Sequence, residues 1–427
     1  MRLNKFLSGL AAVLLAFSLC NAASAAPLTK IRTAWMDSYE TFAMWYAKEK
    51  GWDKEAGLDI DILFFDSGMA ILNALPAGEW QYSCLGGVPA MMGNLRYGTS
   101  VIGVGTDESA CVAVLARPDN PVFKTQGLNP KHPDVFGSPE DVRGKTILCT
   151  TVSSAHFALT AWLDAVGVKP TEVTIKNMDQ PQALAAFENG IGDFVALWAP
   201  HMYAGTDKGW KIAGSAALCG KGTPLVLVAD TKYADTHPET TAKFLSVYLR
   251  GVEHLRTASI DDLIPEYQRF FFDWAGKTYS KELARLDLES HPAWDIKGQL
   301  TLFDASKGMS TVQQWQADTA RFFASIGSIT PDELKKVEND LLRHRQVPQA
   351  RQVTVPCRKM PPTPPSPHPR RRGFFILAKA CFPYSSGSFQ RPTQGLRPFP
   401  AHRAGVCFFK SQNILILFDS FCMINAS

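Results

Sequence analysis

Leu58-Asp59-Ile60-Asp61-Ile62-Leu63-Phe64-Phe65 (LDIDILFF) alternates and then turns solidly apolar, the pattern of a buried parallel strand. Before it, residues 31–36 read as a short strand and residues 40–50 as a helix holding Trp45 and Tyr46. After it, Ser67-Gly68 opens a helix over 69–75, and strands over 81–85 and 100–104 flank a helix over 88–97. Strand then helix with short connections predicts a parallel α/β sheet covered on both faces. Residues 117–140 are rich in Pro, Gly and Asn and carry no period. Alternation then restarts, with strands over 145–149, 172–175 and 193–197 and helices over 153–166 and 181–189. A return strand over 224–229 leads into a largely helical stretch that ends near 343. The simplest architecture has two lobes. Residues 26–116 and 219–346 make the first and residues 117–218 the second, with crossings near 111–117 and 218–229. A single doubly wound sheet is the alternative.

The chain has 427 residues, 44 Lys+Arg against 40 Asp+Glu, and nine cysteines, enough for two or three domains. Its charge is unevenly spread. Residues 347–427 hold 11 basic residues, the single acid Asp419 and 12 of the 28 prolines. Between Ala26 and Gln346 there are 31 basic and 39 acidic residues, a net charge of −8. That excludes a basic nucleic-acid-binding body, and the spread of the cysteines excludes a disulfide-dense scaffold. The tail mixes proline clusters with apolar bursts and has no sustained period, so it is expected to be unstructured. At the other end, Arg2 and Lys5 precede a dozen apolar residues, and Ala23-Ser24-Ala25 supplies small residues for cleavage. This reads as a signal peptide over 1–25 and implies export. The apolar run is too short to span a bilayer, which takes about 20 residues.

Tyr46-Ala47-Lys48-Glu49-Lys50-Gly51 followed by Glu55-Ala56-Gly57-Leu58-Asp59-Ile60 resembles the opening of the nitrate/sulfonate/taurine family of periplasmic solute-binding proteins of ABC importers. Later segments fit in order: Ala77-Gly78-Glu79-Trp80, Leu85-Gly86-Gly87-Val88-Pro89, Asp141-Val142-Arg143-Gly144-Lys145, Ala185-Ala186-Phe187-Glu188-Asn189-Gly190, and Asp193 with Trp198-Ala199-Pro200. The match runs from about residue 31 to 343. Gln81 stands where the family usually has Asp. The resemblance implies a two-lobed, type II periplasmic binding protein-like fold that closes by a hinge on a small organic anion. It implies delivery to a permease and ATPase at the inner membrane by a periplasmic monomer, with no cofactor, no catalysis and no nucleic acid. A ligand-sensing periplasmic domain is one alternative. A pyrimidine-binding protein or a thiamine-pyrimidine-synthase-like enzyme is another, but the synthases resembling this family carry a cysteine-rich iron motif and are cytosolic.

In open α/β sheets ligands bind beyond the C-terminal strand ends, where helix N-termini offer unpaired N–H groups to anions. The residues at those exits are Ser38 with its neighbour Tyr39, Ser67-Gly68, Gly86-Gly87, and Ser153-Ser154 at the end of the stretch Thr150-Thr151-Val152. Each serine alone could be a plain N-cap; their recurrence at successive exits marks a site. His156 and Trp198 could add selectivity. Asp37, Asp107 and Glu108 could pair an amine, as taurine-type members of the resembled family require. Cys111 and Cys219, at the two supposed crossings, are the candidate disulfide for an oxidising compartment. No His/Cys spacing suggests a metal.

Overall fold

The structure, a computed structural model, describes residues 27–342. The export segment and the basic tail inferred above lie outside the described residues. The chain opens with β1 (Thr29–Trp35), α1 (Tyr39–Glu49), α2 (Trp52–Glu55), β2 (Leu58–Phe64), α3 (Gly68–Ala74), β3 (Tyr82–Gly86), α4 (Gly87–Met92) and β4 (Thr99–Asp107). It continues through β5 (Val112–Ala116), α5 (Pro139–Val142), β6 (Thr146–Cys149), α6 (Ser154–Ala165), β7 (Thr174–Asn177), α7 (Gln180–Glu188), β8 (Phe194–Trp198), α8 (His201–Asp207) and β9 (Lys211–Ser215). It returns in β10 (Pro224–Asp230) and closes with α9 (Thr231–Thr236), α10 (Pro238–Thr257), α11 (Ile260–Ala275), α12 (Lys281–Ser290), α13 (Ile296–Leu302), α14 (Thr311–Ser325) and α15 (Pro331–Leu342).

The described residues form two five-stranded sheets, ordered β2-β1-β3-β10-β4 and β7-β6-β8-β5-β9, not one doubly wound sheet. Neither is purely parallel. β10 runs antiparallel to both its neighbours, β3 and β4, and β5 runs antiparallel to β8 and β9. The reading of LDIDILFF is half right. β2 pairs parallel with β1 in continuous register from Leu58 to Phe64, but it is an edge strand, and Phe64 is 45% exposed. The strands buried on both faces are β3, β5, β8 and β10. β5 lay within the first lobe of the sequence reading. It is an inner strand of the second sheet, between β8 and β9, so the crossing precedes it.

Alternation along the inner strands distributes side chains to two cores per sheet. Leu225, Leu227 and Ala229 of β10 face α1, α10 and α11, while Val226 and Val228 face α3, α4 and α14. Val112 and Val114 of β5 face α6; Ala113 and Leu115 face α7 and α8. This partition also overturns the proposed disulfide. Cys111 and Cys219 are both free, and they are buried in the clusters on opposite faces of the second sheet. Cys111 instead accepts a hydrogen bond from the Tyr203 hydroxyl (3.2 Å).

The two crossing segments are bonded to each other. Glu108 N–H donates to Thr223 O (3.1 Å) and Ala217 N–H to Ser109 O (2.9 Å), while the Asp107 carboxylate accepts from Thr223 N–H (3.1 Å). This ladder is the hinge about which the lobes meet.

Candidate functional site

A cavity lies between the lobes at the strand exits. The first lobe lines it with Met36 and Ser38 after β1, Ser67 to Met69 after β2, Gly86 and Pro89 around the start of α4, and Leu225 of β10. The second lobe supplies Thr150 to Ser154 and Trp198, and the crossing supplies Glu108. No Lys or Arg is among the lining residues.

Local chemistry explains why the chain turns as it does here. Ser67 caps α3, its Oγ accepting from Ala70 N–H (3.2 Å). Gly68 is required by packing, because a Cβ there would meet Pro89 Cγ at 2.6 Å. Ser153 caps α6 by accepting from His156 N–H (3.3 Å) and donates to Thr150 O (2.6 Å). Its hydroxyl is therefore spent on the turn. Ser38 likewise donates to Glu40 Oε1 (2.5 Å) rather than capping α1. These exits bring the starts of α1, α3 and α6 to the cavity, and the first-turn N–H groups of a helix have no carbonyl partner within it. Val152 sits in the left-handed region at φ 56°, a conformation costly for a β-branched residue. Its N–H donates to His156 Nδ1 (3.3 Å).

Eight predicted residues line the cavity: Ser38, Ser67, Gly68, Gly86, Glu108, Ser153, Ser154 and Trp198. Five do not. Asp37 is ion-paired with Lys277, whose ammonium also meets His201 Nε2 (3.3 Å). Burial, with Lys277 second, pushes His201 down to about 3. Tyr39 stacks on His291 with ring centroids 4.8 Å apart. Gly87 packs towards Pro224. Asp107 belongs to the hinge ladder and also accepts from Ser109 N–H and Oγ–H (both 3.1 Å). His156 lies edge-on to Phe323 (5.9 Å), and burial lowers its pKa.

Sequence reasoning did not single out Gln180, which is buried at the start of α7. Its Oε1 accepts from Trp198 N–H (3.0 Å) and its Nε2 donates to Thr150 Oγ1 (2.9 Å). One amide thus fixes two parts of the second lobe's wall. The apolar wall of Met36, Met69, Pro89 and Leu225 was also missed.

Two buried carboxyls, Glu108 in the cavity lining and Glu40 outside it, lie in this region. Glu108 is only 4% exposed, and its Oε1 has no hydrogen-bond partner. Burial pushes its pKa up to about 8; the Ser154 hydroxyl opposes this and Glu40 adds to it. Glu40 is fully buried, and burial pushes it up to about 7 against the pull of Ser38. Its Oε2 is likewise unpartnered. Behind them, His291 Nδ1 lies 3.2 Å from Asp287 Oδ1. Burial works against the His291 cation, but hydrogen bonding to Asp287 and Cys111 prevails and holds its pKa well above the ordinary value.

A family model described as NMT1/THI5 like matches residues 39–258. A Brachyspira hyodysenteriae protein assigned as an ABC transporter periplasmic binding protein is 24% identical over 322 residues, 74% of this chain and 89% of that protein. A taurine-binding periplasmic protein of Escherichia coli K12 is 31% identical over 193 residues, 45% of this chain and 56% of that protein. Among solved structures, the alkanesulfonate-binding protein SsuA of Xanthomonas axonopodis pv. citri bound to MOPS has a TM-score of 0.58 at 17% identity, covering 73% of this chain and 99% of that one. The nitrate-binding protein NrtA of Synechocystis PCC 6803 has a TM-score of 0.57 at 12% identity, covering 76% and 90%. The fold is that of the periplasmic binding proteins.

Proposed function

Because the chain belongs to the NMT1/THI5-like family, we propose that it is an extracytoplasmic solute-binding protein that captures a small sulfonate-type anion between its lobes. It hands that ligand to the permease and ATPase of an ABC importer, acting as a periplasmic monomer and as a binder rather than a catalyst. The observation that carries this reading is the convergence of helix starts from both lobes, those of α1, α3 and α6, on one cavity without a lining cation. Main-chain N–H groups and helix dipoles there favour an anionic head without a formal counter-charge. Met36, Met69, Pro89, Leu225 and Trp198 suit a short alkyl body, and Glu108 suits an ammonium at its far end. The names of the taurine-binding and alkanesulfonate-binding relatives support the same ligand class.

The experiment is a thermal-shift screen with taurine, ethanesulfonate, nitrate, bicarbonate and an aminopyrimidine, followed by calorimetry. A ligand at 100 times its Kd stabilises by about 2.7 kcal/mol. Stabilisation by a sulfonate supports the reading. Stabilisation by the aminopyrimidine alone would replace it.

A further inference from the structure

We propose that Glu108, which lines the cleft, and the buried Glu40 near it together hold a proton in the ligand-free protein, and that capture of a ligand bearing an ammonium group expels it. This rests on the sulfonate reading above, and adds that ligand capture is linked to pH. Glu40 comes from the first turn of α1 in the first lobe, and Glu108 from the crossing. Each is buried, and each has one oxygen without a partner. The hydroxyls that meet them, Ser38 on Glu40 and Ser154 on Glu108, belong to cavity-lining residues from opposite lobes.

The groups facing Glu108 are Glu40 from α1, His291 beyond α12, Asp107 from its own segment and the Cys84 thiol from β3. Glu40 faces His291 and Asp287 as well, with Tyr39 and Tyr248 close by. The only cation in this set, His291, is already paired with Asp287. Two ionised carboxylates would therefore add buried like charge without compensation, and such pairs keep a proton between them. A ligand ammonium supplies the missing compensation. Its N–H groups donate to Glu108 Oε1, the carboxyl O–H bond breaks, and the proton passes to buffer. One positive charge enters as one leaves.

The test is calorimetry on the full chain at pH 7 with taurine and with ethanesulfonate, which lacks the amine, in phosphate and in Tris. Comparing buffers of different ionisation enthalpy counts protons. Taurine is expected to release about one proton, and its Kd to weaken by up to about tenfold per unit as pH falls from 8 to 6. Ethanesulfonate should release none. Glu108→Gln should weaken taurine binding roughly 10- to 100-fold and abolish release. Glu40→Gln should move the pH profile without removing the taurine preference. Taurine binding with no proton release, or with uptake, overturns the proposal even if no variant folds, because the wild-type count decides it. If ethanesulfonate binds and taurine does not, the ammonium step fails and the sulfonate reading survives. If neither binds, both fall.

Discussion

Replacing Glu108 by Gln keeps the shape of the side chain and its neutral form but removes its titration, so it isolates the cost of that carboxyl in the ligand-free protein. A group whose folded pKa is raised binds its proton more tightly when folded. Its contribution to stability is therefore full below the unfolded pKa and is lost as pH rises through the folded one. For Glu108 the window runs from about 4.5, its ordinary value, to about 8. Within it each pH unit costs about 1.4 kcal/mol, so between pH 5 and pH 7 the wild type should lose about 2–3 kcal/mol relative to Glu108→Gln. His156, His201 and His254, all held below the ordinary value chiefly by burial, work in the opposite direction near pH 6.5. They are common to both proteins and cancel. Urea unfolding at pH 5, 6 and 7, with midpoints converted by a shared m-value, gives the difference directly. A gap between the two proteins that stays constant within about 0.5 kcal/mol across this range would show that Glu108 is ionised in the empty cleft, and the reasoning would fail.

Ser153→Ala should cost about 1 kcal/mol in urea unfolding through loss of the α6 cap, yet leave the taurine Kd within about threefold, since its hydroxyl is already committed;. Gln180→Ala strands Trp198 N–H, removes a donor from Thr150 Oγ1 and should destabilise by about 1–3 kcal/mol, weakening taurine binding in the same titration. Gly251 lies inside α10, where Ala normally gains about 1 kcal/mol, but a Cβ would stand 2.2 Å from Ala43 O of α1. Gly251→Ala should therefore lower the melting temperature; a rise would refute the close approach of these helices.

The strand-exit rule found most of the cavity because it depends only on local order. Each of β1, β2, β3 and β6 ends where a small or hydroxyl residue starts a helix, and the chain marks those points itself. Partnerships distant in sequence were not legible. Asp37 looked free until Lys277, 240 positions away, came to lie against it. Ser153 looked like a ligand donor because the carbonyl that takes its proton, Thr150 O, becomes available only when the turn forms. Gln81, an apparent misfit for the resembled family, accepts from Arg32 N–H (2.7 Å), so the amide does a carboxylate's work there. β5 passed for a crossing because five small apolar residues between Cys111 and Arg117 have no turn signals to separate them. β9 (KIAGS) lacks the apolar run of a strand and is held by its pairing with β5. The antiparallel course of β10 follows from its neighbours, which no periodicity within the strand records.

β10 also dictates the order in which the molecule can be completed. It sits between β3 and β4, and its register joins Leu225 to Thr106 and Asp230 to Thr99. The first sheet therefore cannot close until the chain has travelled through the entire second lobe and come back. The second sheet draws on one uninterrupted stretch, from β5 to β9, and pays a smaller loop-closure entropy. During synthesis, the later lobe in sequence is expected to be the earlier to fold. Until β10 arrives, β3 and β4 present open edges able to pair with another chain. A chain halted between β9 and β10, after residue 215 and before residue 224, would hold all the strands of one sheet beside another missing its penultimate strand.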